Sequence, residues 1–195
     1  MNRPAPRVSR HYSDPVPTPP QIGTLDWQPA GDHPELLAAS VAASLSSLGI
    51  EAYVAPIDPG LADTAAFCAA YAVPMEVSAN CVVVAGKRAE KSIMAGCVVL
   101  ATDRADVNKT IRKHLDVRKI SFAGMADAVR RTGMEYGGIT PVGLPPDWPI
   151  LVDSAVAALD WILIGSGIRR SKIIISGASA AQLPRAEVLA LAVTA

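Results

Sequence analysis

The stretch TGMEYGGITPVG, residues 132–143, decides how the rest of this chain is read. It sets Gly137 and Gly138 just before Thr140 and Pro141, with Gly143 two residues beyond the proline. Such a segment is neither a helix nor a strand interior. Pro141 lacks an N–H, fixes its own φ and biases Thr140 toward extended geometry. The glycines permit positive φ and close approach of another group to the backbone. A loop of this composition presents bare N–H and C=O groups, so its neighbours decide what it does.

Outward from that loop, the apolar periods divide the chain into short elements. Towards the N-terminus, residues 125–131 read as one or two helical turns stopped by Gly133. Residues 117–122 read as a strand. Asp103 reads as the cap of a helix whose apolar positions are Val107, Ile111 and Leu115. Residues 80–85 (NCVVVA) and 93–101 (IMAGCVVLA) are β-branched and apolar, and form a predicted hairpin whose turn begins at Gly86-Lys87-Arg88. Asp63 opens a predicted helix through Tyr71. Residues 50–55 give a strand. Asp32 with Pro34 marks a helix start that continues through Leu37, Val41, Leu45 and Leu48 to a stop at Gly49.

Towards the C-terminus, residues 150–152, 161–164 and 172–176 read as strands, residues 153–159 fit either state, and the chain from Ser179 onward is weakly helical. Hairpins mixed with helices favour a mixed sheet closing toward a barrel over a doubly wound parallel sheet.

Many of the sixteen prolines fall in residues 1–30, which lack periodicity and are expected to form a disordered or extended arm pinned by Trp27. Residues 31–195 are expected to form one domain. A chain of 195 residues, half of them hydrophobic, buries roughly 70% of its unfolded surface. No apolar run approaches the ~18 residues of a membrane span, and no secretory leader is visible, so a cytoplasmic protein is expected. Cys68, Cys81 and Cys97 form an odd set among apolar neighbours and read as buried thiols.

Eighteen cations balance eighteen acids, which argues against strong non-specific nucleic-acid binding. Locally, Arg104, Lys109, Arg112, Lys113, Arg118 and Lys119 outnumber Asp106 and Asp116. That stretch is either a solvated helix face or a patch contacting phosphates.

The candidate chemistry is narrow. His11, His33 and His114 do not pair with cysteines or carboxylates at ligand spacing, so neither a metal nor a cofactor is expected. Gly165-Ser166-Gly167 lacks the full frame of a nucleophile elbow, and no Walker A loop or dinucleotide fingerprint is present. What remains are two glycine loops, 137–143 and 165–167. Each alone reads as a turn, but together they read as the main-chain walls of a pocket whose donors could stabilise an oxyanion or police the size of a ligand.

In order along the chain, residues 76–84 (EVSANCVVV), the basic helix, TGMEYGGITPVG, Val152-Asp153 and Gly165-Ser166-Gly167 resemble the YbaK/EbsC family, free-standing relatives of the prolyl-tRNA synthetase editing domain. The resemblance runs from Pro34 to the C-terminus. Its most specific part is Gly137 to Pro141, which is similar to the family's G-x-x-x-P loop; the GSG turn matches more loosely. It implies a mixed, mostly antiparallel barrel-like sheet flanked by helices, and an aminoacyl-tRNA deacylase: a hydrolase that edits mischarged tRNA in trans and so serves translation fidelity.

The resemblance implies Gly137, Gly138, Ile139, Thr140, Pro141 and Gly143 as the substrate loop. Gly165, Ser166 and Gly167 form a further wall, and Asn80 and Gly138 stand nearest the reacting ester. Arg112 and Lys113 are candidates for tRNA phosphate contact. Asp153 is either a pocket residue or a helix cap, and Glu76 reads as a solvated loop acid.

One departure matters. Family deacylases carry a lysine where this chain has Ala79, with Asn80 beside it. Either Asn80 supports a variant site or the chain is a non-catalytic relative that binds an RNA end or small ligand. The partners expected are aminoacyl-tRNA and no membrane, and the apolar hairpin leaves room for a homodimer.

Overall fold

The structure, a computed structural model, describes residues 19–194. The first eighteen residues of the expected proline-rich arm lie outside them. In chain order the elements are β1 (Gln28–Pro29), α1 (Ala39–Leu48), β2 (Tyr53–Pro56), α2 (Thr64–Tyr71), β3 (Ala79–Arg88), β4 (Lys91–Leu100) and β5 (Asp103–Ala105). A π-helical turn, Val107–Ile111, leads into α3 (Arg112–His114). Then come β6 (Lys119–Phe122), α4 (Met125–Thr132), β7 (Ile150–Asp153), α5 (Ser154–Ala157), β8 (Ile162–Gly165), β9 (Ser171–Ile175), α6 (Gly177–Ala181), β10 (Ala186–Leu189) and β11 (Ala192–Thr194).

The strands form a five-stranded sheet ordered β10-β7-β4-β3-β6, a four-stranded sheet ordered β1-β2-β9-β8, and a small β11-β5 pair. Pairing is antiparallel except where β7 lies parallel to both β4 and β10. The two large sheets meet at one parallel bridge, Ser78↔Leu163. Beyond that bridge β3 and β8 diverge, while β6 pairs with β3 only from Val84 to Lys87. The first residues of β3 therefore have an edge without a ladder partner, and this wedge becomes the cleft described below.

The core follows from the strand sequences. In β9 the run Ile173-Ile174-Ile175 is fully buried because β2 and β8 flank it and apolar clusters cover both faces. Each such side chain contributes about 1.5–3 kcal/mol. On β3, Val82 and Val84 face a cluster completed by Val107 and Ile111. Ala79 belongs to the central cluster of Val98, Val152, Ile162 and Ile173.

Several expected boundaries move, each for a local reason. The helix expected from Asp32 begins only at Ala39, because residues 30–36 form two 3-10 turns and Leu37 is extended. Gly49 ends it in the left-handed conformation, as its position implies. The hairpin runs past Gly86 to Arg88 and turns at Ala89 and Glu90. Gly86 stays in the strand, where a Cβ would lie 2.9 Å from the Val117 methyls. Asp103 is not a cap but begins β5. Asp106 is the cap, accepting from the Lys109 and Thr110 N–H groups at 3.3 and 3.1 Å. The C-terminal segment is mostly strand: β10 and β11 follow the short α6. The part of the arm that is described packs on the body, with Trp27 buried and its Nε1 donating to Ile22 O at 2.9 Å.

Candidate functional site

The wedge between β3, β6 and β8 opens into a cleft of about 710 Å³. Its lining draws on the start of β3 (Ala79 to Val83), the end of β8 (Ile164, Gly165), the glycine loop (Tyr136, Gly137, Ile139), the entrance of α2 (Ala62 to Thr64) and Lys172 of β9.

The glycine loop owes its position to contacts with residues 165–169. The Gly138 N–H donates to Glu135 O at 2.9 Å, and its carbonyl accepts from the Gly167 N–H at 2.8 Å. A Cβ on Gly138 would lie 2.6–2.8 Å from the Ile168 backbone, so only glycine allows the two main chains to touch. Gly137 has φ of 83°, and a Cβ there would meet Arg169 Nη1. Arg169 acts as a strap. Its guanidinium donates to Tyr136 O at 3.1 Å and to Pro59 O at 2.9 Å, and its own N–H donates to Glu135 Oε2 at 2.6 Å.

The other part of the lining carries side-chain chemistry. Asp63 caps α2 by accepting from the Ala65 and Ala66 N–H groups. The next residue, Thr64, donates its hydroxyl to Asn80 Oδ1 at 2.8 Å, which commits that oxygen and leaves the Asn80 amide as the donor end of the group. Lys172 is only 6% exposed; its Nζ donates to Ala62 O at 3.1 Å and lies 5.2 Å from the centroid of the Phe67 ring. Burial draws its pKa below the ordinary 10.5.

The Cys81 thiol also lines the cleft, but burial pushes its pKa far up and the neighbouring Cys97 adds to this, so it remains a thiol and not a nucleophile. At the rim, Phe122, Met125 and Tyr136 line the cleft yet remain 63%, 57% and 60% exposed, too much for core side chains.

Of the residues singled out from the sequence, Asn80, Gly137, Ile139 and Gly165 line this cleft together. The others lie around it. Gly138, Thr140 and Pro141 are buried beneath the loop. Gly143 packs against the α1 backbone at Ser40. Gly167 packs against Ala38 and Val41. Ser166 is fully buried, with its hydroxyl 2.7 Å from that of Ser171. Asp153 caps α5 through the Ala155 N–H and accepts from the Leu191 and Ala192 N–H groups, each at 2.9 Å, so it fastens the C-terminal strand. Arg112 and Lys113 are exposed on α3, away from the cleft lining, and Glu76 is exposed.

The sequence reading did not single out Lys172, Thr64 or Arg169. Lys172 carried the clearest signal, a charged residue opening the run Lys172-Ile173-Ile174-Ile175, in a strand otherwise too apolar for a surface edge.

Comparison with known proteins agrees with the architecture. The model of the family described as "Aminoacyl-tRNA editing domain" matches residues 58–183, more than half of the chain. No curated protein matches the sequence. Among solved structures, a candidate trans-editing enzyme for prolyl tRNA synthetase superposes with a TM-score of 0.67 at 18% identity, covering 79% of this chain and 95% of its own. The hypothetical protein APE2540 superposes with a TM-score of 0.70 at 18% identity, covering 79% and 99%. At that identity the two structures speak for the mixed sheet and its flanking helices.

Proposed function

The chain belongs to the aminoacyl-tRNA editing domain family, and from that membership we propose that it hydrolyses, in trans, the ester of a mischarged tRNA of the prolyl-editing type. The observation that carries this reading is the open cleft in which Asn80, a buried lysine and the bare main chain around Gly137 and Gly165 share one lining. The cleft offers hydrogen-bond donors and a cation, with Cys81 held as a neutral thiol. That suits attack by water on an ester that is already activated.

In the proposed reaction, water adds to the ester carbon and the carbonyl oxygen becomes an oxyanion. Collapse breaks the bond to the ribose oxygen, which takes up a proton lost by the water. The amino acid leaves as a carboxylate, and the water's second proton passes to solvent. Asn80, its Oδ1 held by Thr64, presents its amide to the reacting end. Gly137, Ile139 and Gly165 bound the aminoacyl group. Gly138, Thr140, Pro141, Gly143, Ser166 and Gly167 act by fixing the two loops, and Asp153 by fastening the C-terminal strand. Discrimination is by size, because an apolar pocket distinguishes one methylene by only about 1–3 kcal/mol and editing supplies a second sieve. The exposed Phe122 and Tyr136 suit stacking of unpaired bases at the acceptor end, and Arg112 and Lys113 suit phosphate contact further along the RNA.

The test is deacylation of a panel of mischarged tRNAs, including tRNA for proline carrying small amino acids, with Asn80→Ala beside the parent. Turnover of at least one substrate, with kcat/KM down roughly tenfold or more in the variant, is expected. A second reading, a relative that binds an RNA end without turnover, draws on the uncharged Ala79 and Asn80 at the start of β3. It replaces the first if the parent binds acceptor-stem RNA but cleaves none of the esters.

A further inference from the structure

Lys172 is a buried cation without an anion of its own. An ammonium has three protons to donate. Ala62 O takes one, and the Phe67 ring lies within cation–π range of the charge. Among the described residues no carboxylate lies within ion-pair distance of it. Asp63, whose charge does favour the protonated lysine, spends Oδ1 on the N-terminus of α2. Arg169, the other cation of the lining, has donors committed to Tyr136 O and Pro59 O. Removing a charge from water without pairing it is costly, so a buried unpaired ammonium facing a cleft needs an offset from outside the chain.

We propose that Lys172 is the anion-binding group of the cleft, taking a negatively charged oxygen of the bound RNA ester: a phosphate oxygen of the terminal nucleotide or the oxyanion formed at the ester carbon. The assignment rests on the editing reading above for the identity of the ligand, and on the geometry of Lys172 for the residue. In a water-poor site an N–H donor on a cation holds an anionic oxygen more tightly than a neutral donor does. Asn80, in the same lining, supplies a neutral donor. The strand β9, locked between β2 and β8, holds the lysine stem so that little reorganisation accompanies binding.

Lys172→Met removes the charge and keeps an unbranched stem. Its deacylation of the best mischarged tRNA is measured for kcat and KM, its affinity for adenosine 5′-monophosphate by calorimetry with adenosine as the uncharged control, and its melting by circular dichroism. A fall of roughly 100-fold in kcat/KM is expected, with melting at or above that of the parent because a buried charge has gone. If the partner is the phosphate, KM rises and affinity for the monophosphate drops to that for adenosine. If it is the oxyanion, kcat falls and nucleotide affinity stays.

A Lys172→Met protein within about twofold of the parent in all of these overturns the proposal. Should that variant fail to fold, Lys172→Gln, which keeps a donor for Ala62 O, gives the same comparison. A parent that binds the monophosphate through Lys172 but cleaves no ester overturns the editing reading and leaves this one standing. A parent that does neither overturns both.

Discussion

The cleft is built from two unlike parts. Around Gly137, Gly138 and Gly165 the lining is shaped by tightly packed main chain, Gly138 against the Ile168 backbone, Gly165 against the Gly138 and Ile139 carbonyls and Gly137 against the Arg169 guanidinium, so that none of the three has room for a Cβ. Around Thr64, Asn80 and Lys172 it is side chains, each with a defined partner: hydroxyl on amide oxygen, and ammonium on carbonyl and ring. The first part gives shape and the second gives chemistry, and they sit on separate segments of the chain. They should therefore fail differently. Damage to the shape costs folding and activity together, whereas damage to the chemistry costs activity alone.

The largest expected effect tests the shape. In Gly138→Val the new Cβ would lie 2.6–2.8 Å from the backbone of Ile168, a contact that no rotamer relieves. The two loops must part, and the bond from the Gly167 N–H to Gly138 O at 2.8 Å goes with them. A loss of about 3 kcal/mol or more in urea unfolding is expected, with deacylation abolished. A variant with parental stability and turnover would break the distinction between the two parts.

The alkaline limb sharpens the other side. Lys172 has a folded-state pKa below 10.5, so the folded chain disfavours the ammonium. Its contribution to stability is present above 10.5 and is lost as pH falls through the lowered value. Cys97 runs the other way: burial pushes its pKa from 9.0 up to about 12, so stability is lost as pH rises through that range. The net curve mixes both, together with the Cys81 thiol and the Tyr53 phenol, which burial also pushes up. Subtracting the Lys172→Met curve isolates Lys172: the parent should gain stability relative to the variant as pH approaches 10.5. Its deacylation should fall over the same range, with the variant's weaker rate flat there. Parallel stability curves for the two proteins would place the lysine in water.

Legibility in the sequence follows the same division. The glycine–proline loop announced itself because φ limits act on the residue itself, and so did the Gly49 and Gly133 stops and the Asp63 cap. The β3–β4 hairpin is plain from the apolar, β-branched runs at residues 80–85 and 93–101. What the sequence hid depends on partners far along the chain. Asp153 reads equally well as a cap or a pocket residue, because its bonds to the Leu191 and Ala192 N–H groups require knowing that β11 returns beside it. The strand β10 was missed because its pairing to β7 is parallel, and its short exposed stretch Ala186-Glu187-Val188-Leu189 has little apolar pattern of its own. In the sequence Lys172 reads only as the beginning of a strand. Nothing local says that α2, more than a hundred residues earlier, covers it.

The smallest expected effect falls between the two parts. Thr140 belongs to the glycine–proline motif, yet its side chain is fully buried and its hydroxyl has no protein partner. A buried, unpartnered hydroxyl is a desolvation cost without a return, so Thr140→Val, similar in shape, should be neutral or stabilising by about 1 kcal/mol, a rise of roughly 2–4 °C in melting temperature. If the hydroxyl instead meets the substrate when the loop shifts, the same variant melts higher but loses deacylation. In that case the main-chain part of the cleft carries chemistry as well as shape. Measuring both quantities on one variant separates these outcomes: higher melting with parental turnover keeps the division as drawn, and higher melting with lost turnover moves the boundary to include Thr140.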